Sequence, residues 1–184
     1  MRQTSGQPML STPEALILVG QHLGDSPRAT HTRVVAHLMR RLAEHFGEAC
    51  ELWEVVGLCH DLDYFATAND RSQHGLLTVS WLAGRLSETA LQAIAAHDHR
   101  TGVAADSRLA DMLKVADAMT VIDERLGRGI WASLDRANPY PALQSKLGDR
   151  AYLSDILQRI ASKHAVPFAR LADIVAAVPS QQPQ

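Results

Sequence analysis

His31-Thr32-Arg33-Val34-Val35-Ala36-His37-Leu38-Met39-Arg40-Arg41-Leu42-Ala43-Glu44-His45-Phe46 is the stretch on which the fold turns. His31, Val34, Val35, Leu38, Leu42 and Phe46 recur at the three- and four-residue intervals that align one face of an α-helix. Thr30 is a candidate N-cap and Gly47 a candidate C-cap for a helix over 31–46. Next, a helix over 49–62 turns Leu52, Val55, Val56, Cys59 and Leu62 inward. The same period continues outward in both directions, predicting helices over 14–23, 74–87, 89–97, 108–125, 152–164 and 167–178. Gly24-Asp25-Ser26-Pro27 reads as a turn, 67–73 as a polar loop and 102–106 as a linker. Asn138-Pro139-Tyr140-Pro141 reads as a joint, because each proline lacks an N–H and restricts the residue before it. Pro167 suits the first turn of the last helix. No segment alternates apolar and polar residues like a strand, and no repeat recurs at a fixed period. The chain is expected to be all-α.

Composition narrows the function. A chain of 184 residues suits one domain with an appendage, and 46% hydrophobic residues rule out wholesale disorder. The net charge of −2 argues against a nucleic acid polymer or an anionic membrane as partner, though not against a small anionic substrate. No uncharged apolar run reaches the ~18 residues that span a bilayer. The stretch 15–19 is too short for a signal core, so a cytoplasmic location is the expectation. Cys50 and Cys59 make no disulfide framework, and Cys59 reads as a small core residue. Histidine is the unusual component, with nine copies against three each of Phe, Tyr and Trp.

Several of these histidines fall where a polar ring needs a partner. His60-Asp61 ends the apolar run Val55-Val56-Gly57-Leu58-Cys59, where a buried unpaired charge costs several kcal/mol. His31 lies on an inward stripe, His74 opens a helix, His97 closes one, and Asp117 is mid-helix between apolar residues. Each alone fits a plain role as helix cap, hydrogen-bonded core residue or solvent-facing end. Together they supply four imidazoles and two carboxylates, enough for two divalent ions about 3.5–4 Å apart that lower the pKa of a shared water. Neighbouring helical residues point about 100° apart, so His60 can hold one ion while Asp61 reaches between both. Mixed nitrogen and oxygen ligation favours Fe, Mn, Co or Ni over Mg or structural Zn.

The ordered set His31, His60-Asp61, His74, His97, Asp117, spaced H-x28-HD-x12-H-x22-H-x19-D, resembles the HD-domain superfamily of metal-dependent phosphohydrolases over about residues 30–124. Gly57-Leu58-Cys59-His60-Asp61-Leu62-Asp63-Tyr64 looks like the family's signature, and Lys114-Val115-Ala116-Asp117-Ala118 like its last ligand helix. The resemblance implies an HD-domain helical bundle over 30–125, preceded by a helix and loop over 1–29. A C-terminal extension over 126–184 would pack two helices on that bundle. His74 and His97 are similar to the extra histidines of the dinuclear members. The implied ligands are therefore His31, His60, Asp61, His74, His97 and Asp117, holding two divalent ions with Asp61 bridging. Asp63 and Tyr64 replace the familiar HD-x-G form, which sets the chain apart from the cyclic-dinucleotide phosphodiesterases.

Ala95-Ala96-His97-Asp98-His99-Arg100-Thr101-Gly102 looks like the branch that cleaves diadenosine polyphosphates. That likeness implies a metal-bridged hydroxide attacking a phosphoester or phosphoanhydride of a nucleotide or small phosphorylated metabolite. Arg100 and Lys114 are the candidates to bear substrate charge. Arg100 also fits a loop salt bridge, and Lys114 an ion pair with Asp111 or Asp117. Besides Asp61, Asp63 and His99 are catalytic candidates. Asp63 would orient a metal-bound imidazole or accept a proton, or else cap the chain's exit from its helix. His99 would protonate a leaving alkoxide, or else be an exposed loop histidine. Two alternatives stand beside this reading. One is a di-iron oxygenase cleaving a C–C or C–P bond, although Asp98-His99-Arg100 holds no counterpart of that branch's substrate lysine. The other is a non-catalytic nucleotide-binding module. His22, His37, His45 and His164 read as surface or packing residues. The segment after 126 fits either a cover for the cleft or the face of a homodimer, and the stripe Leu171, Ile174, Val175, Val178 fits internal packing.

Overall fold

The computed structural model describes residues 9–179, and among them every regular element is helical. Residues 1–8 and 180–184 lie outside the described residues, and with them most of the stretch 179–184, which in the sequence reads as a frayed end. The first half holds α1 (Thr12–Leu23), α2 (Pro27–Phe46), α3 (Cys50–Cys59), α4 (Leu76–Leu82) and α5 (Glu88–Ala96). After these come α6 (Arg108–Leu126), α7 (Ile130–Ser133), α8 (Pro139–Leu147), α9 (Tyr152–Lys163) and α10 (Phe168–Ala176).

Capping chemistry sets several boundaries. Ser26, Ser87 and Ser107 each accept the backbone N–H three residues on, starting α2, α5 and α6. Helix α2 thus begins four residues before the predicted start, with Ser26 and not Thr30 as its N-cap. The dipeptide Ser26-Pro27 that reads as a turn is also an N-cap followed by a first-turn proline, a place where the missing N–H costs nothing. The same physics corrects the joint at 138–141. Pro139 and Pro141 stand in the first turn of α8 and open a helix there. Helix α3 stops at Cys59, short of the predicted residue 62, and the chain tightens into successive turns through Asp61 and Tyr64. Helix α4 is shorter than predicted because Gly75 and Gly84, both at positive φ, bracket it.

Helices α2 and α3 pack most closely, for a reason visible at one residue. A Cβ added to Gly57 would lie 2.6 Å from the Cα of Ala36 and 2.9 Å from its nitrogen, so the two backbones touch. Helix α6 is buried along most of its length and packs against α2, α5 and α9. The two expected C-terminal helices are present as α9 and α10, with two further helices, α7 and α8, before them. Helix α9 packs on α6 and α8, and α10 on α2 and α7, continuing one core in which Leu143, Leu147, Leu157 and Ile160 are fully buried. Leu171, Ile174, Val175 and Val178 are buried in that core. His164 pairs with buried Asp111 at 2.7 Å, beside Lys163 at 2.6 Å, and so ties the end of α9 to α6. No helix among the described residues is long and apolar enough to cross a membrane.

Candidate metal centre

Two of the four histidines occupy helix C-termini, where the last carbonyls have no intrahelical donor. His60, the C-cap of α3, donates Nδ1–H to the Gly57 carbonyl at 2.7 Å. His97, the C-cap of α5, does the same to Ile94 at 2.6 Å. The device fixes one tautomer and leaves each Nε2 with its lone pair. The other two rings are fixed by carboxylates. His31 donates Nδ1–H to Glu124 at 2.8 Å, and His74 donates Nδ1–H to Asp63 at 2.8 Å. All four rings thus spend Nδ1 on an outer partner and turn Nε2 toward one carboxylate.

That carboxylate is Asp61, which is buried and splits between the rings. Oδ1 lies 2.9 Å from His74 Nε2 and 3.5 Å from His97 Nε2. Oδ2 lies 3.4 Å from His60 Nε2 and 3.9 Å from His31 Nε2. Two buried groups that could hold a metal ion follow, His31–His60–Asp61 and Asp61–His74–His97, with ligand atoms within 4.8 Å of one another in each. Asp117 stands beside the first group, 3.0 Å from His31 Nε2 and 4.0 Å from His60 Nε2.

The donor set fits cations. His60 Nε2 is buried with no hydrogen-bond partner, a costly state for a polar atom that a cation would relieve. Burial pushes His60 down to about 4, outweighing the pull of Asp61, so the ring is neutral near pH 7 and can ligate. Nε2 of His74 and Nε2 of His97 face each other at 3.3 Å, where two lone pairs repel unless a positive charge stands between them. Burial also opposes charge on His31 and His74. Their facing carboxylates outweigh it and hold the rings at about 10 and about 9, so a proton serves where a cation would. Against its burial, the histidines that face Asp61, His60 foremost and then His74, His97 and His31, hold its carboxyl well below the usual carboxylate range.

The other candidates fall in different places. Asp63 is fully buried and outside the cavity beside the centre. It orients the His74 ring and accepts the N–H groups of Gly75 at 2.7 Å and Thr78 at 2.9 Å, which caps the start of α4. Of the roles considered for Asp63, its contacts are those of an orienting partner, with Oδ1 on His74 and Oδ2 on the backbone. Asp63→Asn is expected to weaken metal binding by about 10–100-fold, the usual effect of losing such an outer partner, while the fold persists. Metal titration of the apoprotein measures it, and unchanged affinity would contradict the orienting role.

His99 stands at the cavity rim with its side chain 85% exposed. Arg100 lines the cavity but is engaged by Asp98 in a paired contact through Nε and Nη2. Burial works against Asp98, yet Arg100 prevails and holds its carboxyl at about 2. Lys114 also lines the cavity. The ion pairs considered for it are not made, since it donates to the His97 carbonyl at 3.3 Å while Asp111 is taken by Lys163 and His164. Burial lowers the pKa of this half-buried amine.

The cavity, about 500 Å³, has Asp61, His74, His97 and Asp117 along one side. Arg28, Arg71, Arg100, Lys114 and Arg150 also line it, with Tyr64 and Tyr152. Arg150, Tyr152, Leu153 and Ile156, from the C-terminal segment, supply part of its wall. Sequence reasoning missed Glu124, Arg28, Arg71 and these wall residues. A signal existed for two of them: Glu124 lies seven residues after Asp117 and Arg28 three before His31, each pair on one helix face.

The family model described as the HD domain matches residues 28–122, just over half of the chain. No curated protein and no solved structure matches.

Proposed function

The chain belongs to the HD-domain family, and from that premise we propose that it is a metal-dependent phosphohydrolase acting on a phosphoester or phosphoanhydride of a nucleotide or similar small phosphorylated metabolite. The observation that carries this reading is the convergence of four Nε2 atoms on the two oxygens of Asp61 beside a cavity lined by five cationic side chains. His31, His60 and Asp61 would hold one divalent ion, and Asp61, His74 and His97 a second, with Asp117 beside the first. Such a pair supplies hydroxide at neutral pH and polarises a phosphoryl oxygen.

The residues of the chain account for the rest. Lys114 makes no carboxylate contact and is partly desolvated, so an arriving phosphate would stabilise its charge. Arg71 donates to the Tyr64 carbonyl at 2.8 Å and stacks 4.2 Å from the centre of the Tyr64 ring, which fixes its guanidinium at the cavity wall. Asp98 anchors Arg100 so that its remaining N–H groups approach a substrate in one orientation. His99, exposed at the rim, is available to protonate a departing alkoxide. A volume of about 500 Å³ suits a ligand of nucleotide size.

The test is phosphate release from nucleoside mono-, di- and polyphosphates and simple phosphate esters, with the protein loaded in turn with Mn²⁺, Co²⁺, Ni²⁺ and Fe²⁺. Turnover requiring the metal is expected. Oxygen consumption supported by iron alone would replace the reading with an oxygenase, and nucleotide binding without turnover would replace it with a binding module.

A further inference from the structure

We propose that Tyr152 recognises an aromatic ring on the phosphorylated substrate, which the cavity holds with its phosphate toward the metal centre and its ring against Tyr152 and Val121. The inference rests on the reading of the cavity as a phosphate site, and it narrows the substrate to compounds in which a planar ring is joined to the phosphate. Its basis is the way polarity is divided along the walls. On α6, Lys114, Asp117 and Val121 follow at intervals of three and four and form a partly exposed stripe that lines the cavity. The stripe starts at a cation, passes the metal centre and ends on an apolar side chain. A phosphate group uses only the first two, because cations meet its charge and Val121 does not. The cavity, about 500 Å³, is of a size for a whole small molecule, so its apolar end faces whatever group the phosphate carries.

A further wall comes from α9, outside the HD-domain residues 28–122. Helix α9 runs antiparallel to α6, since Asp149, just before α9, pairs with Arg125 in the last turn of α6, while Lys163 and His164 pair with Asp111 in its first turn. Tyr152 and Ile156, four apart, thereby reach the cavity from one face of α9. Tyr152 is 50% exposed; among the described residues its hydroxyl makes no hydrogen bond and its ring stacks on no other ring or guanidinium. Tyr64, the other tyrosine of the cavity, is already occupied. Arg28 stacks 4.0 Å from the centre of its ring and Arg71 4.2 Å, and Asp61 holds Arg28 in turn at 2.9 Å. A free tyrosine face beside apolar side chains offers a ring an offset stack, a contact that an alkyl group does not gain. The hydroxyl takes no part in that contact, so a phenylalanine would serve equally.

Calorimetric titration of the Mn²⁺-loaded protein with phosphonates, whose carbon–phosphorus bond resists hydrolysis, tests this without turnover. The probes are 2-phenylethylphosphonate, 2-cyclohexylethylphosphonate and ethylphosphonate, which share a head group and differ in what it carries. The phenyl compound is expected to bind about tenfold more tightly than ethylphosphonate and about threefold more tightly than the cyclohexyl compound. Tyr152→Ala should weaken the phenyl compound by about tenfold and leave ethylphosphonate within about twofold, which also shows that the variant is folded. Tyr152→Phe should bind all three as the wild-type protein does. A phenyl compound bound no better than the other two, or Tyr152→Ala leaving its affinity unchanged or weakening every probe alike, would overturn the proposal. So would an absence of binding by all three, which would remove the anion site as well. Ring preference that depends on Tyr152, with no hydrolysis of any phosphate compound, would defeat the proposed function and leave this inference standing. Hydrolysis without ring preference would do the reverse.

Discussion

Asp61→Ala is expected to remove both metal positions at once, taking the bound metal from two ions per chain to none and turnover down by at least about 10³-fold. The size follows from geometry. Each histidine serves one position, but the oxygens of Asp61 face both pairs, Oδ1 toward His74 and His97 and Oδ2 toward His60 and His31. His97→Ala should therefore spare the His31–His60 position and His60→Ala the other, whereas no single histidine replacement should match the loss at Asp61. Elemental analysis at known protein concentration, alongside the phosphate-release assay and a circular dichroism spectrum to confirm folding, measures the three variants together. An Asp61→Ala protein with full metal content and full activity would refute the ligand assignment.

Gly57→Ala is expected to destabilise the protein by about 2 kcal/mol net and to weaken metal binding with it. The new methyl would lie 2.6 Å from the Cα of Ala36 and 2.9 Å from its nitrogen, contacts with backbone that no rotamer change relieves. Overpacking of this kind costs about 3 kcal/mol, of which the better helix propensity of alanine returns about 1 kcal/mol. For a chain of this size that corresponds to a fall in Tm of about 4–8 °C. Separating α2 from α3 also separates His31 from His60, and the carbonyl that fixes the His60 ring belongs to Gly57 itself. Gly20→Ala is the control. Gly20 lies within α1 with nothing near its would-be Cβ, and the same substitution there should be neutral or slightly stabilising. Thermal melts of both variants, with and without Mn²⁺, test the contrast, and equal melting temperatures would contradict the close approach of α2 and α3.

How much of the site was legible depended on the range of the interaction. Arg28 was within reach, three residues before His31, but a helix read from residue 31 with Thr30 as its N-cap left it outside the helix. The start at Ser26 puts it on the ligand face. Asp63 was legible as a helper of a metal-bound ring, yet which ring it helped was not. Its partner His74 lies eleven residues on, across the turns that follow α3 and the short helical turn at Arg71–Gln73. The pairings first considered for Lys114 followed helical spacing, whereas Asp111 turns to Lys163 and His164, more than fifty residues away.

By itself, the sequence determined that the chain is all-α and that four histidines and two aspartates occur in the order of an HD domain. Both are local properties, the first from the 3.6-residue period of the apolar positions and the second from residues at helix ends and on inward stripes. Only the tertiary structure decided which nitrogen of each ring faces inward, which oxygen of Asp61 serves which pair, and that Glu124, Arg28 and the segment around Arg150 and Tyr152 belong to the same pocket. Those facts depend on how helices far apart in the chain pack. Contacts such as Gly57 on Ala36 set that packing, and a one-dimensional pattern does not encode the distance between two helices.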